Sequence, residues 1–166
     1  MKQESKKTAI ITGSGRGIGK ETAIILAKKS MNVVVCSRTQ SEINSTVEEI
    51  SKLTSNSSVL GIKCDVSTPS EVNSLVKSAI EKFGSETIDI LVNNAGVAFN
   101  RKLVDTSDEE WHQTININLN GAFLFAKAVL PYMISRRSGV ILNVNSGAGK
   151  VGFIIYHLTV QVNLGL

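Results

Sequence analysis

The chain has 166 residues, the size of one domain at about 100–200 residues each, and is 42% hydrophobic and 19% charged. Its 13 glycines, 2 prolines and 2 cysteines exclude a collagen-like chain, a disulfide scaffold and a disordered tail. The net charge of +4 is spread along the chain and only 5% of residues are aromatic, which argues against a nucleic-acid-binding face.

The small basic clusters, Lys6-Lys7, Lys28-Lys29 and Arg136-Arg137, read as solvated helix faces. The first seven residues are rich in charge, with Lys2, Glu4, Lys6 and Lys7, and lead into a strand-like run without an apolar signal region. No uninterrupted apolar run approaches the roughly 20 residues of a membrane span. The expectation is a soluble, cytoplasmic protein that engages neither membrane nor nucleic acid. Cys36 and Cys64 each follow an apolar run and read as buried, reduced thiols. No Cys-x-x-Cys pair or zinc-ligand spacing is present, so no metal is expected.

Residues 8–12 form a short β-rich run closed by Gly13. Residues 18–29 carry helical spacing at Ile18, Thr22, Ile25 and Leu26. Val33-Val34-Val35 centres a strand over 32–36. Ile43, Val47, Ile50 and Leu53 predict a helix over 41–53, with Ser41 as N-cap. A strand follows at 59–63. Pro69 stands at the first position of a helix reaching Phe83. Residues 88–92 are a fourth strand. Ser107-Asp108-Glu109-Glu110 opens a longer helix to about Arg136, and residues 139–144 are a fifth strand. Strands that are continuously apolar, alternating with helices, predict an α/β domain with a doubly wound, Rossmann-like parallel sheet.

The first strand-to-helix turn reads Thr12-Gly13-Ser14-Gly15-Arg16-Gly17-Ile18-Gly19. Glycines there let the backbone turn tightly beside a diphosphate, with helix amides facing its charge. A Walker loop is excluded, since Ser14 and Glu21 stand where it needs Gly and Ser or Thr. The G-x-G-x-x-G pattern also fails from both Gly13 and Gly15, leaving T-G-x-x-x-G-x-G. Asp65-Val66 follows the third strand, Asn93-Asn94-Ala95-Gly96 the fourth and Ser146 the fifth, while Asn118-Leu119 lies in the long helix. The strand-end markers sit where ligands bind in open α/β sheets.

This order of motifs, from about residue 7 to 153, resembles the short-chain dehydrogenase/reductase family in its classical form. The resemblance implies a diphosphate turn at Gly13, Gly17 and Gly19, with Ser14, Gly15, Arg16 and Ile18 in the same cofactor loop. It implies that Asp65 and Val66 flank the adenine, and that Asn93, Ala95 and Gly96 lie beside the cofactor ribose. Asn118 matches the family Asn that anchors a water in the proton relay, and Ser146 the Ser that hydrogen-bonds the substrate oxygen. A small carbonyl or alcohol substrate and a homo-oligomeric parent enzyme are implied as well.

Cofactor choice can be argued from charge. An NAD site places Asp or Glu at the end of the second strand. Here the chain reads Cys36-Ser37-Arg38-Thr39, without an acid, and Arg16 lies in the glycine loop. Two guanidinium groups and the Ser37 hydroxyl suit a 2′-phosphate, so NADP(H) is expected over NAD(H).

The family's Tyr-x-x-x-Lys unit is broken. Tyr156 is the only tyrosine after Ser146, and Val160 stands where Lys is required. Val160 supplies neither charge nor hydrogen bond, and Tyr156 comes early relative to Ser146. Read one frame away, codons available to residues 158–165 spell Tyr-Cys-Ala-Ser-Lys-Phe-Gly, the missing segment, with its tyrosine at position 159. The expectation is a nucleotide lost near codons 153–155, giving a domain over 1–153 that lacks the C-terminal strands and an out-of-frame tail over 154–166. A catalytically inactive dinucleotide-binding module, or a gene fragment, is the alternative. Either way the fifth strand is expected at a sheet edge.

Overall fold

The fold is described from a computed structural model, over residues 6–55, 58–83, 88–99 and 102–146. The elements run β1 (Thr8–Ile11), α1 (Gly17–Lys28), β2 (Asn32–Ser37), α2 (Gln40–Leu53), β3 (Val59–Lys63), α3 (Pro69–Phe83), β4 (Ile90–Asn93), α4 (Asp108–Thr114), α5 (Gly121–Arg136) and β5 (Val140–Asn143). The strands form one parallel sheet in the order β3-β2-β1-β4-β5. This is the doubly wound α/β arrangement expected from the sequence.

Alternation along the strands explains the continuous apolar runs. Ile10, Val34 and Leu91 face a core shared with Leu75 of α3 and Phe125 and Val129 of α5. Ala9, Ile11, Val33, Val35 and Val92 face the other way, onto Ala23, Ile24 and Ala27 of α1 and Ile43 and Ile50 of α2. A strand covered on both faces needs apolar residues at every position.

Several boundaries move. α2 is capped at Thr39 with no side-chain hydrogen bond, so Ser41 is a residue of its first turn, not the N-cap. β4 begins at Ile90, and the carboxylate of Asp89 just before it accepts from the Thr8 amide at 2.8 Å and from Arg136 at 2.6 Å. The long helix starts with a reciprocal Ser107–Glu110 capping box. It is continuous over Asp108–Arg136, but between α4 and α5 it widens to i→i+5 spacing at Ile115–Asn120.

That 29-residue helix is long and apolar enough to cross a membrane by length and composition, which a count of uninterrupted apolar runs overlooks. Its buried residues Phe125, Val129 and Met133 pack in the sheet's core. Among the described residues β5 is an edge strand. Ile141 packs toward the core beside α5, whereas Val140 and Leu142 are more than half exposed. Tyr156, Val160 and the expected tail over 154–166 lie outside the described residues.

Candidate active site

The chain leaves β1 to reach β2 on one side, and β3 leads across to β4 on the other. The loops after β1 and β4 therefore part company at the sheet's C-terminal edge, the place where α/β sheets bind ligands. Two clefts meet there. One, of about 250 Å³, is lined by Thr12, Asn93, Asn118, Asn143 and Ser146 among others. The second, of about 330 Å³, is lined by Gly13, Arg16, Ser37, Arg38, Glu42 and Asp65 among others. They share Asn94, Ala95, Gly96 and Val97 and so form one groove.

The glycine turn has the geometry its sequence requires. Gly13 and Gly17 have φ of +64° and +57°, the left-handed region that side chains disfavour. A Cβ on Gly13 would also lie 2.9 Å from Ala95 Cα, so the turn can approach the β4 loop only as glycine. α1 starts at Gly17 and presents its first amides beside Gly13 and Ile18 in the groove.

Ser14 has a different surrounding from its neighbours. It is fully buried, its hydroxyl donates to Ile11 O at 2.6 Å and accepts from the Cys36 amide, and its own amide bonds Cys36 O. It therefore positions the loop against β2. The Gly15 carbonyl is held by the Thr46 hydroxyl at 3.0 Å. Arg16 extends outward, and Ile18 is two-thirds exposed at the start of α1.

Thr12 ties the two loops together. Its Oγ1 accepts from the amides of both Asn94 and Ala95 at 2.9 Å, and the Asn94 side-chain amide donates to Thr12 O at 2.9 Å. Asn93 donates to Asn143 Oδ1 across β4 and β5, while its own buried Oδ1 has no hydrogen-bond partner among the described residues. A buried acceptor without a partner is costly, so it marks a place where a bound donor is needed.

At the other end, Asp65 accepts from the amide and hydroxyl of Ser67 at 2.9 and 2.6 Å. Burial opposes its ionisation, but these hydrogen bonds and the nearby Arg38 charge prevail and hold its carboxyl below the usual range. Val66 is buried against the groove floor. Ser37 and Arg38 reach the same cleft from the end of β2.

Asn118 falls in the widened part of the long helix, a distortion that often accompanies functional positions. Its carboxamide is bonded to both backbone groups of Val97, at 2.8 and 2.9 Å. Ser146 lines the same cleft as Asn118. Of the expected site residues, Tyr156 alone lies outside the described residues.

The residues fit a dinucleotide: a glycine turn that a Cβ would block, a helix N-terminus, cations at one end and an orphaned buried acceptor at the other. Sequence reasoning passed over Glu42, whose carboxylate lies beside Ser37 and Arg16, and Asn143, the partner of Asn93.

The sequence profile of the short-chain dehydrogenases matches residues 7–158. A 3-oxoacyl-[acyl-carrier-protein] reductase of Synechocystis is 37% identical over 147 residues, 88% of this chain and 58% of the relative. The corresponding reductase of Staphylococcus aureus is 36% identical over the same shares. Among solved structures, a short-chain alcohol dehydrogenase assigned to Sinorhizobium meliloti superposes with a TM-score of 0.82 at 33% identity, over 90% of this chain and 57% of that one. Actinorhodin polyketide ketoreductase, solved with NADPH, gives 0.84 at 33% identity over 93% and 58%. The chain thus spans a little under three-fifths of the length of these relatives. On its sequence match and its fold, it belongs to the short-chain dehydrogenase family.

Proposed function

We propose that this chain carries the cofactor-binding half of an NADP(H)-dependent oxidoreductase that interconverts a carbonyl and an alcohol. The observation that carries the reading is the single groove. It joins the glycine turn and the Arg16, Ser37 and Arg38 end to the Asn118 and Ser146 end. The NADPH bound to actinorhodin ketoreductase supports the same cofactor. A small-molecule substrate, a cytoplasmic setting and a homo-oligomeric parent enzyme belong to this reading.

The diphosphate would be held by the turn Gly13–Gly19 and the first amides of α1. Arg16, Arg38 and the Ser37 hydroxyl would take the 2′-phosphate, Arg by its forked donors. Asp65 and Val66 would flank the adenine, and Asn93, Ala95 and Gly96 the ribose. A bound nicotinamide supplies the hydride chemistry. The protein's share is orientation and proton handling: Ser146 donates a hydrogen bond to the substrate oxygen, and Asn118, anchored on Val97, positions the proton path beside it.

The acid/base unit that completes such a site is a tyrosine with a lysine that lowers its pKa. Tyr156 with Val160 cannot provide the cation. We propose that the residues after Phe153 are out of frame, and that the frame-restored chain carries the unit. The coding DNA tests this directly: codon 158 ends in T and codon 162 in A, or the reconstruction fails. Titration of the chain with NADPH and NADH tests the binding half, with tighter binding of NADPH expected. Equal affinities, or none, would remove the NADP(H) reading.

A further inference from the structure

Glu42 stands in the first turn of α2, yet its carboxylate lies among the groups assigned to the 2′-phosphate. Its Oε2 accepts the Ser37 hydroxyl proton at 3.0 Å, and its Oε1 lies 3.6 Å from Arg16 Nε. The glycine loop leaves room for it: a Cβ at Gly15 would lie 2.8 Å from Glu42 Cβ and 2.9 Å from Ser37 Cβ. The Glu42 side chain is 30% exposed against 85% for Arg16, so the carboxylate is the confined member of the pair.

A serine hydroxyl has one proton to give. Ser37 gives it to Glu42, so a phosphate that takes the same donor must displace the carboxylate or lie beside a like charge. A ribose 2′-hydroxyl meets the opposite situation, because a carboxylate is the acceptor it needs. The acid absent from the end of β2 is thus supplied from α2.

Resting on the NADP(H) reading above, we propose that Glu42 is a specificity-determining residue that narrows the preference for a 2′-phosphate over a 2′-hydroxyl. Arg16, Ser37 and Arg38 pull toward the phosphate, and Glu42 opposes them from within the same pocket. A carboxylate that merely clasps the loop would not discriminate between the two cofactor forms.

Calorimetric titration of the whole chain with adenosine 2′,5′-bisphosphate and with adenosine 5′-monophosphate separates these roles. Glu42→Gln keeps the shape and an acceptor for Ser37 while removing the charge. The expected result is bisphosphate binding tightened about fivefold, the scale of one screened like-charge contact, with monophosphate binding no tighter than in wild type. Ser37→Ala should weaken bisphosphate binding more in a Glu42→Ala background than in wild type, because only there is the hydroxyl released from its acceptor. Glu42→Ala, which removes the acceptor as well, should shift the ratio the same way.

An unchanged ratio in both Glu42 variants overturns the inference, whatever the wild-type preference. A bisphosphate preference that appears only in the variants keeps the inference and removes the NADP(H) reading for the natural chain. Binding of neither nucleotide by any of the proteins overturns both.

Discussion

Asn118 and the backbone of Val97 hold each other through two hydrogen bonds, one in each direction. The Val97 amide donates to Asn118 Oδ1 at 2.8 Å, and Asn118 Nδ2 donates to Val97 O at 2.9 Å. A carboxamide is the side-chain group that can do both at once. The contact fastens the loop after β4 to the widened helix, and so fixes the floor shared by both clefts. Asn118→Ala should cost about 1–3 kcal/mol in a urea unfolding titration and weaken cofactor binding. Asn118→Asp should do no better near neutral pH, since a carboxylate faces the Val97 carbonyl where an N–H stood.

Thr12 makes a second clasp, with its hydroxyl accepting two amides of the β4 loop. Thr12→Val keeps the shape but leaves the Asn94 and Ala95 amides without that acceptor. The expected loss is about 1–3 kcal/mol, read as a lower urea midpoint at unchanged slope. Thr12→Ser retains the oxygen and should recover most of it. Equal midpoints for the Val and Ser variants would show that the hydroxyl is dispensable.

Much of this is legible in the sequence, and the exceptions have physical causes. The glycines of 13–19 announce a tight turn, though which of them, Gly13 and Gly17, take a left-handed backbone is seen only in the fold, and the apolar runs at 33–35 and 90–92 announce a sheet buried on both sides. Ser14 was expected among the cofactor contacts because it stands between loop glycines. Its burial depends on how closely the loop approaches β2, which no local pattern encodes. Glu42 was missed for the converse reason. Helical period places it on a face of α2, but only the packing of α2 against Gly15 brings its carboxylate to Ser37.

Arg38 tests the cofactor assignment. Its charge helps keep Asp65 ionised, and it lines the cleft with Ser37. Arg38→Asp removes a forked phosphate donor and substitutes a like charge. NADPH affinity should fall by about tenfold or more in a fluorescence titration, while NADH affinity changes little or rises. An NADPH affinity that survives the substitution would move the 2′-phosphate elsewhere.

The two cysteines give a pH-dependent readout. Burial is the main cause that pushes the Cys64 thiol up to about 12, with Glu71 and Asp65 adding to it, and burial also raises that of Cys36. A thiol raised in the folded state contributes stability that is complete below its unfolded pKa of about 8.5 and is lost as pH rises through the folded value. Near pH 8 both thiols should therefore resist a disulfide reagent in the native protein and react promptly in denaturant. Stability should decline above about pH 8.5, and a Cys36→Ala, Cys64→Ala double variant should flatten that alkaline limb. Rapid labelling of a thiol in the native protein at pH 8 would contradict this burial.

The exposed side of β5 should govern how the chain behaves at high concentration. Side chains alternate along a strand, so Val140 and Leu142 share the face opposite Ile141. Val140 is 58% and Leu142 53% exposed, although both belong to a strand hydrogen-bonded to β4. A flat apolar strand at a sheet edge is a template for pairing with another chain, and edge lysines are a common deterrent. Leu142→Lys should therefore reduce concentration-dependent light scattering, with little change in the unfolding midpoint because the side chain leaves water-facing surface. Lysine at the exposed Ser51 of α2 serves as the control, since it adds the same single charge without touching the edge. Equal suppression by Leu142→Lys and Ser51→Lys would assign the effect to net charge, and suppression by Leu142→Lys alone would assign it to β5.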